Sequence, residues 1–173
     1  MATIVERQIR FDLTCDDTEV KGVTSIELPT IAEQTVEVEG SGIMGTYETP
    51  VLGQLENMEV SMDLTHASPD EAAILQTPEN HDIGIYRAVQ VRDSDTDEIS
   101  IQKQRFYLRL RPKSVAEGTT ENDSTDNGKV TYSCSLYRKY VNGEKVCEIN
   151  PLSSVYIWNG VDYYEEVREA LDL

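Results

Sequence analysis

The chain has 173 residues, a formal net charge of −17 and three cysteines. That length builds one domain with a substantial core. No N-terminal segment reads as a signal peptide and no apolar run is long enough for a bilayer, so the expected compartment is a cytoplasm. An odd cysteine count without a secretory signal argues against a disulfide framework.

The pattern along the chain is mostly β. Alternation predicts strands over Ile4–Leu13, Val20–Leu28 and Thr35–Glu39. Next comes Gly40-Ser41-Gly42-Ile43-Met44-Gly45, a literal match to the dinucleotide-binding glycine pattern. That fingerprint needs a helix opening on it. Thr46, Tyr47, Glu48, Thr49, Pro50, Val51, Leu52 and Gly53 are poor helix material. The glycines therefore read as the tip joining two strands.

The clearest alternation follows in Met58–Thr65. Met58, Val60, Met62 and Leu64 share one face there, and Glu59, Ser61 and Asp63 the other. A short helix is marked by Ser68 as N-cap, Pro69 as first residue and Glu71 as capping-box acid, stopping before Pro78. Strands over Ile83–Arg92, Ile99–Lys113, Lys129–Val141, Glu144–Ile149 and Ser154–Trp158 complete the sheet, and a second helix covers Tyr163–Leu171. Turn chemistry separates them at Asp93–Asp97, Asn122–Gly128, Asn142-Gly143 and Asn159-Gly160. No repeat, linker or boundary divides residues 1–173.

Asn142-Gly143 is a two-residue hairpin signal that places Val141 opposite Glu144 and Arg138 opposite Cys147. Cys134 then lies about four residues, ~13 Å, along the strand from Cys147's partner. A disulfide cannot span that. All three thiols read as plain sheet residues.

Charge is divided along the chain. Gly22–Tyr86 holds twelve Asp or Glu and no Lys or Arg, whereas Ile99–Cys147 holds nine Lys or Arg against five acids. Such faces can complement each other between copies while net repulsion keeps free copies soluble. Nine of twelve aromatics are tyrosines, which suit half-wet contacts. Many long strands also leave edges that must be paired or guarded.

No catalytic constellation emerges. Asp93, Asp95 and Asp97 begin like a calcium loop, but Glu98 stands at the glycine position and Gln104 at the glutamate position. A polar hairpin turn is the expectation there. His66 and His81 lack zinc-site spacing, and no nucleophile elbow is present. Glu59 and Asp63 could pair for acid–base work, yet on an alternating strand they read as a solvated face. No metal and no cofactor are expected.

Three stretches, taken together, carry a resemblance. They are Gly22–Pro29 (GVTSIELP), Gly40–Gly45 with its flanks through Leu64, and Gly143–Ile149 followed by Asn159-Gly160-Val161-Asp162 and the terminal helix. In this order and spacing the chain resembles the major tail tube proteins of contractile-tailed bacteriophages, a family that also serves phage-tail-like bacteriocins. The resemblance implies a mainly β, antiparallel sandwich or small barrel that is structural and not enzymatic. Its strands would join those of neighbours into a continuous inner β-barrel. Six-membered rings would stack into a hollow tube that conducts DNA without binding it specifically.

Implied partners are further copies of the chain, a sheath protein, a baseplate initiator and a tail terminator, with no stable membrane association. The implied location is the virion tail, assembled in the bacterial cytoplasm. On this reading Val36, Val38, Met58, Val60, Met62 and Leu64 face the core, and Glu37, Glu39, Glu59, Ser61 and Asp63 face the channel. The loop from Gly40 to about Gln54 reaches the next ring through Gly40, Ser41, Gly42, Ile43, Met44, Gly45, Thr46 and Tyr47. Arg105, Arg109 and Arg111 pair with acidic neighbours. The rival class is a monomeric β-sandwich binding carbohydrate through exposed tyrosines. It predicts a concave aromatic patch and leaves the charge division without a role. A nucleotide-dependent enzyme is a distant third.

Overall fold

Four long strands carry the architecture: β1 (Thr3–Cys15), β7 (His81–Asp93), β8 (Ile99–Ala116) and β9 (Lys129–Val141). Between the first two lie β2 (Thr18–Val20), β3 (Ser25–Glu27), β4 (Glu33–Val38), β5 (Tyr47–Leu55), β6 (Glu59–Asp63) and helix α1 (Pro69–Gln76). After β9 come β10 (Glu144–Asn150), β11 (Val155–Trp158), β12 (Val161–Asp162) and helix α2 (Glu165–Ala170). The structure, a computed structural model, describes residues 3–125 and 127–173; position 126, within the turn expected over Asn122–Gly128, lies outside the described residues.

The main sheet is antiparallel and runs β12-β11-β10-β9-β8-β7-β1-β2, with β6 added to β9 and β3 to β6. Its geometry turns on a fork in β9. One edge of β9 pairs with β8 from Lys129↔Ala116 to Val141↔Gln104. The other edge is shared, since β6 takes residues 129–133 and β10 takes 137–141. At the fork Cys134 N donates to Met58 O at 2.8 Å, and the β8–β9 register slips between Arg109 and Leu110. Two leaves result, and their inward residues share one core.

That core holds Met58, Val60, Met62 and Leu64 beside Leu13, Ile83, Ile85, Leu108, Leu110, Val130, Tyr132 and Ile149. α1 lays Leu75 into it, and its Leu75 carbonyl accepts from the Tyr132 hydroxyl at 2.7 Å. The helix forms as its start signal dictates: Ser68 Oγ accepts from Glu71 N, and the Glu71 carboxylate accepts from Ser68 N. Two-residue turns with positive φ at both positions join three hairpins, at Asp16-Asp17, Asn142-Gly143 and Asn159-Gly160. This is the geometry that matches the right-handed twist of the flanking strands.

The mainly β, antiparallel class is as expected, with differences in detail. Among the described residues the sheet does not close into a barrel. Val20–Leu28 is two short strands separated by the Gly22 bend. Residues 47–55, expected to be loop, form β5 and pair with β4 in a two-stranded sheet of their own. Val36 is consequently 50% exposed instead of buried. In the β9–β10 hairpin a bulge between Lys145 and Cys147 puts Lys139, not Arg138, opposite Cys147. The three cysteines are free, as expected, and all are buried.

Candidate assembly surfaces

The alternation of β6 places Val60 and Met62 inward and turns Glu59, Ser61 and Asp63 outward. Their neighbours come from distant sequence. Ser25 and Glu27 of β3 stand opposite Asp63 and Ser61, while Lys129 and Ser133 of β9 stand opposite Asp63 and Glu59. Ser25 Oγ donates to Asp63. Lys113 of β8 extends over β9 to an ion pair with Glu59, and that ammonium holds the Glu59 carboxyl below its usual range. The carboxylates expected to line a channel therefore share their face with two lysines. Local alternation could not reveal this, because both cations come from other strands.

Glu37 lies elsewhere. It sits on β4 opposite Glu48 in the two-stranded sheet, and Glu39 follows at the start of the turn. The strands around 35–39 and 58–65 do not share a sheet within the chain. The β4–β5 hairpin carries Gly40, Ser41, Gly42, Ile43, Met44, Gly45 and Thr46 at its tip, with Tyr47 opening β5. Gly40, Gly42 and Gly45 have positive φ and open space around them. Ile43, Met44, Tyr47, Val51 and Leu52 are all exposed along this arm. At its base Gly53, at φ +70, lies against the Tyr164 ring near α2.

A second arm was not foreseen. β2 covers only Leu13–Cys15 of β1, so β1 from Thr3 to Asp12 has β7 on one edge and nothing on the other among the described residues. This ribbon exposes Ile4, Val5 and Ile9 of β1 with Ile99 and Ile101 of β8. The signal was available in the sequence, since Ile4 beside Val5 breaks the alternation that Ile9, Phe11 and Leu13 keep.

The arginines of β8 also differ in situation. Arg109 donates Nε and Nη2 to Asp82 of the adjacent strand at 2.8 and 3.2 Å, so its carboxylate partner lies within the chain. Arg105 stacks on Tyr86 at 5.6 Å. Arg111 is exposed and stands opposite Ser133, whose other strand partner is Glu59. The tyrosines of this face stack on each other, Tyr86 on Tyr107 at 6.3 Å and Tyr107 on Tyr140 at 5.6 Å, both edge to face.

Asp93–Asp97 is the polar turn expected, with Asp93 Oδ1 accepting from Asp95 N and Thr96 N at 2.8 and 3.2 Å. His81, by contrast, is not isolated. Its ring lies beside Asp16 and Cys15, which sequence spacing of 65 and 66 residues had concealed.

The antiparallel β-sheet subunit exposes aliphatic side chains along both arms, with further ones toward its C-terminal end, and such surface suits contact with other chains. A family model described as "Phage tail tube protein FII" matches residues 7–171, and the chain belongs to that family. It is a structural, non-enzymatic component of a phage or phage-like tail. Among solved structures, a chain of the PVC sheath–tube complex of an extracellular contractile injection system, in the extended state, superposes with a TM-score of 0.52. The two share 15% identity, over 76% of this chain and 88% of that one. A chain of the PVC sheath/tube terminator in the extended state gives a TM-score of 0.51 and 14% identity, over 76% and 93%. These likenesses are of fold. No curated protein matches the chain significantly.

Proposed function

We propose that copies of this chain close into six-membered rings and that the rings stack into a hollow tube inside a contractile sheath, conducting DNA. The observation that carries this is the free β1 edge with its exposed aliphatic residues. A long unpaired edge beside Ile4, Val5, Ile9, Ile99 and Ile101 is a liability in a solitary chain and a joining surface in an assembly. Strand addition at that edge extends the sheet from one copy into the next, so that a barrel open in one subunit closes in the ring. The fold likeness to chains of sheath–tube and tube-terminator complexes supports sheath and terminator as partners.

In this reading the outward face of β3, β6 and β9 lines the conduit. Glu27, Glu59, Ser61 and Asp63 meet the passing phosphates, and Glu37 and Glu39 contribute from the hairpin arm. A free Lys on the wall would exchange counterions with DNA and hold it. Glu59 answers this for Lys113, and Lys129 stands across from the carboxylate of Asp63. The hairpin tip, residues 40–47, reaches the next ring, with Ile43, Met44 and Tyr47 docking there. Arg105 and Arg111 meet acidic residues of neighbouring copies.

The test is electron microscopy of the purified chain at high concentration, with and without a baseplate template. Hollow tubes with six-fold end views are expected. Ile9→Lys combined with Ile101→Lys should leave a folded subunit that forms none. Monomers alone in the presence of the template overturn the reading.

A further inference from the structure

Apart from tyrosine and cysteine, His81 is the one polar side chain buried to core level among the described residues, at 4% exposure. Its Nε2 lies 2.9 Å from the Thr77 carbonyl at the end of α1, and its Nδ1 lies 3.1 Å from Asp16 Oδ2. A carbonyl only accepts, so Nε2 carries the N–H. In the neutral ring Nδ1 then presents a lone pair, and the carboxylate facing it presents only lone pairs. Something positive has to sit between them, either a proton or a metal ion. A third donor atom converges on the same spot, since Cys15 Sγ is 3.6 Å from Asp16 Oδ2. The three donor atoms all lie within 4.8 Å of one another.

The 3.6 Å S–O separation matches a coordination shell, and the 3.1 Å N–O separation is about 0.3 Å short of one. Ordinary zinc bond lengths at tetrahedral angles put N and O about 3.4 Å apart and S and O about 3.6 Å apart. The fold fixes each donor. Asp16 and Asp17, at φ 49° and 64°, make the turn that joins β1 to β2. Asp16 Oδ1 is held by Asp82 N at 2.9 Å, which leaves Oδ2 to face the ring. The Nε2–H bond to Thr77 O is the outer-shell contact that orients metal-bound imidazoles.

We propose that Cys15 Sγ, Asp16 Oδ2 and His81 Nδ1 bind one divalent cation of the zinc class, with water at a fourth position on the open side of Asp16. A thiolate–imidazole–carboxylate set selects zinc or cobalt over magnesium or calcium. Thiolate and carboxylate together balance the ion's charge, so the site is neutral when filled. Binding takes the thiolate form, so the Cys15 proton is released as the ion enters. The ion ties the β1–β2 turn to the end of α1 and the start of β7, and the site needs no second copy of the chain.

The experiment is titration of the chelator-treated 173-residue chain with Co²⁺. The expected result is a thiolate-to-cobalt charge-transfer band that saturates at one equivalent and disappears on adding Zn²⁺. The band should be absent in Cys15→Ser and retained in Cys134→Ser. Asp16→Asn, at a half-exposed position where Asn tolerates the left-handed turn, should weaken Co²⁺ affinity at least tenfold. A folded wild-type chain without the band at tenfold excess of Co²⁺ overturns the site. So does a band that survives Cys15→Ser, or an unchanged affinity in Asp16→Asn.

Discussion

Lys113 of β8 reaches over the whole width of β9 to pair with Glu59 of β6. The two residues are 54 positions apart, and the strand between them presents only Ser133 and Thr131 beside the bridge. The face proposed to meet DNA thus pairs a cation that would otherwise be available to phosphate.

Replacing Lys113 by Gln should raise the Glu59 pKa toward its ordinary value of about 4.5, because the ammonium that lowers it is gone. Side-chain carboxyl NMR across a pH titration checks this. An unchanged Glu59 titration would mean that the pair does not persist in solution.

Glu59→Lys with Asp63→Lys should turn this face cationic. In intact particles we expect slowed DNA release at low ionic strength, restored by added salt as phosphate contacts are screened. Normal release kinetics at low salt would remove Glu59 and Asp63 from the conduit wall.

Shortening the hairpin tip by deleting residues 42–46 removes Ile43 and Met44 but leaves the β4–β5 pairing from Val38↔Tyr47 onward. The subunit should melt as the parent does, since the tip touches no core residue, and should fail to stack. Tubes of normal length in the variant would refute the inter-ring role.

Gly22→Ala should be costly. A Cβ there would lie 2.0 Å from the His66 carbonyl oxygen, at φ +81, in a segment where His66 N donates to Gly22 O. Backbone on both sides cannot yield cheaply, so a loss of about 2–3 kcal/mol is expected in denaturant unfolding.

Acid should loosen the C-terminus through Asp162. Its hydrogen bond from Arg168 lowers the carboxyl pKa below the ordinary 3.8, and Arg168 Nη1 also donates to Ser154 O at 2.6 Å. A depressed folded pKa means the pair's contribution is complete above pH ~3.8 and is lost as pH falls through the folded value. Asp162→Asn should abolish that part of the acid dependence, measured as melting temperature against pH between 2 and 5. An identical slope in the variant would assign the acid sensitivity elsewhere.

Local chemistry alone determined much of the chain. Ser68, Pro69 and Glu71 mark α1 because capping is settled within four residues. Asn142-Gly143 and Asn159-Gly160 mark their hairpins because positive φ is tolerated at those side chains. The Met58–Leu64 alternation marks a buried face because strand geometry has period two. The resemblance rested on such local stretches in order, and the family match agrees with it.

Tertiary structure decided what depends on pairing between distant strands. β5 escaped notice because Pro50 and Gly53 argue against a strand, yet a two-stranded arm tolerates both. The slip that brings Lys139 to Cys147 is a bulge, and the fork of β9 is a choice between partners; neither is written in periodicity. Lys113 beside Glu59, Asp82 on Arg109, and Cys15 with Asp16 and His81 all come together only through sheet register. Periodicity settles which way a side chain points, and the folded sheet settles what it meets.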